Sequence, residues 1–189
     1  MTNLFVYLIG PPGVGKYTIG KILAERLPAK LVDNHHWNNP IFALLEQDGM
    51  TPLPQAAWDR THLVRTAVLE TIATLSPKHW NFVFTHAAAT TDPIDRIIAG
   101  QILSAAVRRS AGVLAVRLGC APDELARRVA MPERALRLKE RDPVAARRNA
   151  AVPLFDPGCP DMITLDTTAL PPEAVAAEIL ERLKRLPRS

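Results

Sequence analysis

The chain has 189 residues, of which 48% are apolar, and a formal net charge of +4 from 23 basic and 19 acidic side chains. This length and composition exclude intrinsic disorder and favour one compact domain over residues 1–189. No apolar run approaches the roughly 20 residues of a membrane helix, and no basic flank precedes a cleavable apolar segment. We therefore expect a cytoplasmic protein without membrane contact. Cys120 and Cys159 lack a CxxC or a His/Cys cluster, which argues against a disulfide framework or a zinc site.

Short apolar runs alternate with amphipathic stretches, a pattern typical of a parallel sheet with helices on both faces. The predicted strands are 4–9, 29–33, 81–85, 112–119 and 161–168. Apolar residues at helical spacing predict helices at 15–27, 56–75, from Pro93 to an exit at Gly112, from Pro122, and at 172–186. Two Pro-rich segments, 38–54 and 151–160, are predicted to be mobile loops. The pattern predicts an α/β fold with a five-stranded parallel sheet.

A glycine-rich loop lies between the first predicted strand and the first predicted helix. Gly10, Gly15 and Lys16 match the G-x-x-x-x-G-K pattern, whose backbone N–H groups surround phosphates. The positive end of the helix and the Lys16 ammonium both favour phosphate oxygens. We therefore predict that ATP binds to the loop residues Gly10, Pro11, Pro12, Gly13, Val14, Gly15, Lys16, Tyr17 and Thr18.

Tyr17 stands where a magnesium-binding hydroxyl is normally expected. A phenol places its oxygen much farther from the backbone than Ser or Thr does, so we do not expect Tyr17 to ligate magnesium. Thr18 lies about 100° farther round the helix and does not simply replace it. Magnesium commonly keeps several waters while it bridges nucleotide phosphates, which predicts an indirectly held ion.

The loop "GPPGVGKYT" resembles the GPPGxGKGT loop of adenylate kinases and related nucleoside monophosphate kinases, in which Gly follows Lys. The segments beyond it look more like small-molecule kinases of the shikimate kinase and gluconokinase type, with "LVDNHHWNN" at the place of their acidic motif. The resemblance implies a three-layer P-loop NTPase fold with a small lid. It also implies that Asp33 matches the first acid of the shikimate kinase D-x-D pattern, near magnesium and the accepting hydroxyl, while His35 occupies the second acidic position.

The segment 48–65 is similar to the G-x-P-L…W segment of gluconokinases, and His36 with Asn39 is similar to their H-P…N stretch. Asp33 ends a predicted strand, where ligands of open α/β sheets gather, so we expect it to bind a magnesium water or accept the substrate proton. Histidines there could orient a hydroxyl, and arginines could hold a carboxylate or phosphate. The candidate substrate residues, in and beyond a substrate segment at about 34–60, are His35, His36, Arg60, Arg65 and His86.

A basic segment begins at Pro132. Its residues Arg134, Arg137, Arg141 and Arg148 recur at spacings of three, four and seven, so they would share one face of a continuous helix. By resemblance this segment, about 132–150, is the lid that closes over ATP and directs Arg134, Arg137 or Arg141 at the transferred phosphate. The segment "DTTALPPE" after the last strand corresponds to the loop beside adenine in related kinases.

These features predict a phosphotransferase that uses ATP and Mg²⁺ to phosphorylate a hydroxyl of a polyol, sugar acid or similar metabolite, as a monomer or homodimer. One alternative is a nucleoside monophosphate kinase, although "FVFTHAAAT" lacks the D-G-x-P-R segment usual in those enzymes. Another is an ATP-binding switch without transfer activity. The arginine cluster has no accompanying run of aromatic residues, so nucleic-acid binding is not expected.

Overall fold

The computed structural model of the protein describes residues 2–88 and 92–186, apart from the side chain of Arg137. Within these residues, five parallel strands form one sheet in the order β2-β3-β1-β4-β5. The strands are β1 (Leu4–Ile9), β2 (Ala29–Val32), β3 (Asn81–His86), β4 (Gly112–Gly119) and β5 (Met162–Asp166). The predicted α/β fold with a five-stranded parallel sheet is confirmed.

Two helical layers cover the sheet. One layer contains α2 (Asn34–Phe42), α3 (Gln55–Thr74) and α4 (Pro93–Arg109). The other contains α1 (Lys16–Arg26), α5 (Pro122–Val129), α6 (Pro143–Ala150) and α7 (Pro172–Lys184). A short 3-10 helix, Pro132–Arg137, lies between α5 and α6. The predicted three-layer arrangement is thus present.

The alternation of side chains along β1 explains why both faces of the sheet are apolar. Phe5 and Tyr7 belong to the core beneath α3 and α4, whereas Val6 and Leu8 belong to the core beneath α1 and α7. Successive side chains of a strand point to opposite faces, so a central strand covered on both sides has to be apolar throughout. No helix among the described residues is both long enough and apolar enough to cross a bilayer.

Helix α2 corrects part of the prediction of a mobile loop at 38–54, because residues 38–42 are helical. The Asp33 carboxylate accepts a hydrogen bond from the His35 N–H and caps this helix, although Pro40 lies inside it. Trp37 and Phe42 are almost completely buried, and α2 packs against α3. The cap and this burial offset the hydrogen bond that Pro40 cannot donate, because tertiary packing supplies most helix stability in proteins.

The lid also differs from its prediction. A shared face of the arginines requires a continuous helix, but the described segment 132–150 contains the 3-10 helix, an extended stretch and then α6. Leu138 ends the first element in a left-handed conformation with φ of 53°, and Asp142 caps α6 with Pro143 in its first turn. The helical spacing of the arginines therefore does not place them on one face.

Candidate active site

The phosphate loop connects β1 to α1 at the carboxyl edge of the sheet. Gly10 has φ of 153°, and a Cβ atom there would lie 2.3 Å from the carbonyl oxygen of Leu118, so only glycine fits this close approach. The first helical bond of α1 runs from the Ile19 N–H to the Gly15 oxygen at 3.0 Å. The N–H groups of the first turn precede that bond and form, with the helix dipole, a site suited to anions.

The Lys16 side chain folds back into this loop. Its ammonium donates hydrogen bonds to the carbonyl oxygens of Gly10 at 2.5 Å and Pro11 at 2.8 Å. Burial, together with repulsion from Lys139, lowers the pKa of Lys16 to about 7. Phosphate oxygens carry more negative charge than carbonyl oxygens, so a bound phosphate is the better partner for this ammonium.

Asp33 lies at the end of β2 with 1% of its surface exposed. One carboxylate oxygen, Oδ1, accepts hydrogen bonds from the His35 N–H at 3.0 Å and the Thr85 hydroxyl at 3.1 Å. The other, Oδ2, accepts one from the Lys139 ammonium at 3.3 Å. Burial raises the pKa of Asp33, but the Lys139 charge and the His35 N–H outweigh it, and the pKa lies below its ordinary value. Asp33 is therefore ionised.

Lys139 is a residue of this site that the sequence reasoning missed. Its ammonium contacts Asp33 and also lies 4.7 Å from the ring centroid of Tyr17. The spacing of the arginines directed attention to their guanidinium groups, and Lys139 does not follow that spacing. The only sequence signal was its membership of the same basic segment. Its partner Asp33 is 106 residues away in the chain, a separation that no local pattern reveals.

Segment 132–150, predicted to be the lid, contacts the loop formed by residues 47–51, and both contribute residues to the cavity lining. The Arg141 N–H donates to the Gly49 carbonyl oxygen at 2.7 Å. A Cβ atom at Gly49 would lie 2.5 Å from the Lys139 carbonyl oxygen, so the two backbones meet without room for a side chain. Arg134 stabilises this segment internally, because its Nε donates a hydrogen bond to the Glu140 carbonyl oxygen at 2.9 Å.

One cavity of about 1320 Å³ joins these parts. Of the predicted site residues, its lining includes Pro12, Gly13, Val14, Gly15, Lys16, Tyr17, Thr18, Asp33, His35 and Arg134. Gly10 and Pro11 are absent from the lining and act from behind it by holding Lys16. Nδ1 of His35 and the side-chain oxygen of Asn39 form a hydrogen bond of 2.8 Å. Burial lowers the pKa of His35 to about 4, so its ring is neutral at pH 7.

Four other predicted residues do not reach the cavity lining. His36 and Arg60 are exposed. Arg65 is buried on α3, where its guanidinium bonds to the side chains of Gln101 at 2.9 Å and His62 at 2.8 Å. The side chain of Arg141 packs against Gly49 instead of lining the cavity. The side chain of Arg137 lies outside the described residues.

His86 is the clearest departure from prediction. Its ring bonds to the Tyr7 hydroxyl at 2.5 Å and the Asp95 carboxylate at 2.9 Å, and 3% of the residue is exposed. Neighbouring side chains of a strand point to opposite faces, so Thr85 faces Asp33 while His86 enters the core with Phe155. The prediction that His86 faces the cleft is wrong for its side chain. Its carbonyl oxygen accepts from the Gly10 N–H at 3.2 Å and supports the loop from below.

The far end of the cavity is built by α5 and the loop after β5. Arg128 donates to the carbonyl oxygens of Thr167 at 2.8 Å and Thr168 at 3.2 Å. The same guanidinium binds Glu124 at 2.7 Å, which fixes it between helix and loop. The predicted adenine loop therefore lines the cavity, together with a cation that the sequence reasoning missed.

The sheet order, the loop and the lid together define a protein with the fold of the P-loop small-molecule kinases. Solved structures with this fold include a sugar kinase from Janibacter sp. HTCC2649, with 17% identity, a TM-score of 0.66, and coverage of 96% of this chain and 95% of that chain. A gluconokinase from Sinorhizobium meliloti 1021 shows 19% identity, a TM-score of 0.61, and coverage of 97% and 93%. No protein-family model matches the chain, and no curated protein matches it in sequence.

A third similar structure contains ligands. The Mycobacterium tuberculosis APS kinase, in complex with AMPPNP and APS, shows 14% identity, a TM-score of 0.60, and coverage of 97% of this chain and 98% of that chain. The likeness extends over almost the whole chain in each case, although the identities are low. The expected resemblance to small-molecule kinases is thus confirmed at the level of the fold.

Proposed function

We propose that the protein transfers the γ-phosphate of ATP to a hydroxyl of a small metabolite, a polyol, sugar acid or similar molecule. The observation that carries the proposal is the shared cavity, which is lined by the phosphate loop with Lys16 and by the ionised carboxylate of Asp33. Residues 34–60 act as the substrate segment and 132–150 as the lid, within one kinase-like domain. Kinases with the same fold are the supporting comparison.

ATP would place its phosphates in the loop and its base against the loop after β5. Lys16 would exchange the carbonyl oxygens of Gly10 and Pro11 for phosphate oxygens, and the added negative charge would keep it protonated. Arg128 holds the carbonyl oxygens of the base loop and so defines the far end of the nucleotide site. Lys16 and Arg128 are the side chains that support the proposal that the nucleotide is ATP.

Asp33 is the carboxylate that would hold Mg²⁺, through water. Within the described residues, no three His, Cys, Asp or Glu side chains form a metal cage. Magnesium in kinases is held mainly by phosphates and waters with one or two carboxylates, so a single aspartate fits this ion. When bound, the ion neutralises charge on the β- and γ-phosphate oxygens.

The acceptor end of the cavity combines polar and aromatic groups. Asn34, Asn38 and Thr85 supply amides and a hydroxyl that bond to hydroxyl groups of either donor or acceptor character. The rings of Phe42 and Trp58, 5.2 Å apart between centroids, form an apolar wall. Such a lining suits a compact polyhydroxy molecule whose carbon skeleton packs on the rings.

The reaction forms a bond between the acceptor oxygen and the γ-phosphorus of ATP. It breaks the bond between that phosphorus and the oxygen that bridges the β- and γ-phosphates, so ADP leaves. Asp33 orients the hydroxyl and receives its proton as the bond forms, then passes the proton to solvent. Lys16, Arg134 and Lys139 line the same cavity and neutralise the charge of the transferring group.

A coupled ADP-release assay over a panel of acceptors tests the proposal. The panel contains polyols, sugars, sugar acids and the nucleoside monophosphates, each measured with the wild type and with Asp33→Asn. Turnover with a polyol, sugar or sugar acid that is lost in Asp33→Asn supports the proposal. Turnover confined to nucleoside monophosphates would favour the nucleotide kinase instead, and tight ATP binding without turnover on any acceptor would favour a switch.

A further inference from the structure

The side chain of Tyr17 has a position that phosphate binding does not require. Its ring lies beneath the Lys139 ammonium, with 4.7 Å between the nitrogen and the ring centroid. The same ammonium lies 3.3 Å from Oδ2 of Asp33. A cation held between an aromatic face and a carboxylate gains from both, because the ring quadrupole and the negative charge attract it from different directions. Tyr17 thus connects the phosphate loop to the lid.

Only a long, flat side chain at position 17 can make this connection. Tyr17 lies in the first turn of α1, directly after Lys16. A Ser, Thr or Gly there would remove the aromatic face from the Lys139 ammonium. The residue that removes a magnesium-binding hydroxyl from the loop therefore also supplies a contact surface for the lid.

The backbone that directly follows Lys139 is anchored at two residues, so the position of its side chain is coupled to that of the lid. Arg134 bonds to the Glu140 carbonyl oxygen, and the Arg141 N–H bonds to the Gly49 carbonyl oxygen. The side chain of Lys139 is 15% exposed, and the side chain of its partner Asp33 is 2% exposed. Little water competes with the pair, so the contact is stronger than a surface ion pair.

We propose that Tyr17 is a positioning residue of the phosphotransfer reaction. Its ring holds the ammonium of the lid residue Lys139 beside Asp33, and this contact closes the lid over the site where the phosphate and the acceptor meet. This inference rests on the proposed function for its catalytic consequence. Closure depends on the contacts of Lys139 with Tyr17 and Asp33, so it can be measured separately from catalysis.

Hydrogen exchange of the ligand-free protein measures closure directly, since the Arg141 amide is bonded to Gly49 only when the lid lies on the 47–51 loop. Tyr17→Leu and Lys139→Met should each raise exchange in lid peptides containing Arg141 by about tenfold, equivalent to about 1.4 kcal/mol. Tyr17→Phe keeps the ring and should stay within about threefold of the wild type. In the double variant Tyr17→Leu with Lys139→Met, the effects should not add.

A second lysine–aromatic pair provides a matched control. Lys30, on β2, lies 4.6 Å from the ring centroid of Trp80, and neither residue belongs to the cavity lining. Lys30→Met removes the same kind of contact and should leave lid exchange unchanged. If Tyr17→Leu exchanges like the wild type, or if the effects of Tyr17→Leu and Lys139→Met add fully, the positioning role is overturned whether or not the protein proves to be a kinase.

Steady-state kinetics with an acceptor found by the ADP-release panel provide the second measurement. Tyr17→Leu should lower kcat by about tenfold with little change in the KM for ATP, and Tyr17→Phe should restore most of kcat. A raised KM for ATP at unchanged kcat would place Tyr17 in nucleotide binding alone and overturn the proposal. So would a kcat of Tyr17→Thr above that of the wild type, because a hydroxyl would then be the missing group.

Discussion

Two buried polar clusters lie at the carboxyl edge of the sheet, and they behave differently. One contains Asp33 and Lys139 and borders the cavity; the other contains Tyr7, His86 and Asp95 and is enclosed by the core. Asp33 is 1% exposed and His86 3% exposed, so burial does not distinguish them. The difference is that a ligand in the cavity can replace partners in the first cluster, whereas the hydrogen bonds of His86 are made with core residues.

The electrostatics of the clusters follow from this difference. In the enclosed cluster, burial lowers the pKa of His86 and raises that of Tyr7, so both side chains are neutral at pH 7. In the open cluster, the pKa of Asp33 is lowered despite burial, because Lys139 and the His35 N–H stabilise the charge. Charge retained at the wall of a cavity is typical of a functional site, whereas the neutral rings of Tyr7 and His86 keep their hydrogen bonds inside the core.

The largest expected effect lies in the open cluster. Asp33→Asn should lower kcat by about 10³-fold, since the group that orients the hydroxyl and takes its proton loses its charge. The KD for ATP, measured by calorimetry, should change less than about threefold, because Asp33 reaches the nucleotide only through Mg²⁺ and water. Full activity in Asp33→Asn would show that Asp33 does not take part in the reaction. The proposed functional difference between the two clusters would then be weakened.

The next effect concerns nucleotide affinity. Lys16→Met should weaken ATP binding by about 100-fold in calorimetry, because a charged partner of the phosphates is lost from a buried site. The midpoint of unfolding in urea should not fall, since the buried ammonium is itself costly to the folded state. An unchanged affinity of Lys16→Met for ATP would contradict the assignment of residues 10–18 as the phosphate loop.

The enclosed cluster should respond in stability. His86→Leu removes the hydrogen bonds of His86 to the Tyr7 hydroxyl and the Asp95 carboxylate and should cost about 2–4 kcal/mol of unfolding free energy in urea. The ATP affinity of the folded variant should remain within about threefold of the wild type. A variant of normal stability that no longer binds acceptor would place His86 in the site and end the distinction between the two clusters.

The smallest effect is a pH dependence of nucleotide binding. Lys16 has a pKa of about 7 in the free protein, and phosphates in the loop raise it, so binding above pH 7 takes up a proton. Affinity for ATP should therefore fall by about fivefold between pH 7 and pH 8, with proton uptake visible as a buffer-dependent heat. Lys16→Arg stays charged throughout this range and should lack the proton uptake, which separates the Lys16 titration from that of ATP itself.

The elements predicted correctly are those whose causes are local. The strands follow from apolar runs, and the phosphate loop follows from glycines and a lysine at fixed spacing between a strand and a helix. Helix α2 was missed because Pro40 and the Asn-rich composition indicate a break. The burial of Trp37 and Phe42, which decides the matter, depends on α3 and the sheet. The shared face of Arg134, Arg137 and Arg141 was conditional on a continuous helix, and spacing alone does not show that Leu138 adopts a positive φ.

By itself, the sequence determined the parallel α/β architecture, the phosphate loop and the position of Asp33 at the end of a strand. The tertiary structure decided which side chains meet there: it paired Asp33 with Lys139, placed Tyr17 beneath that lysine, and directed His86 into the core. The physical reason is the separation along the chain of the residues that interact. Strand, loop and cap preferences arise from neighbouring residues, whereas contacts between residues about a hundred positions apart depend on sheet order and on the path of the lid.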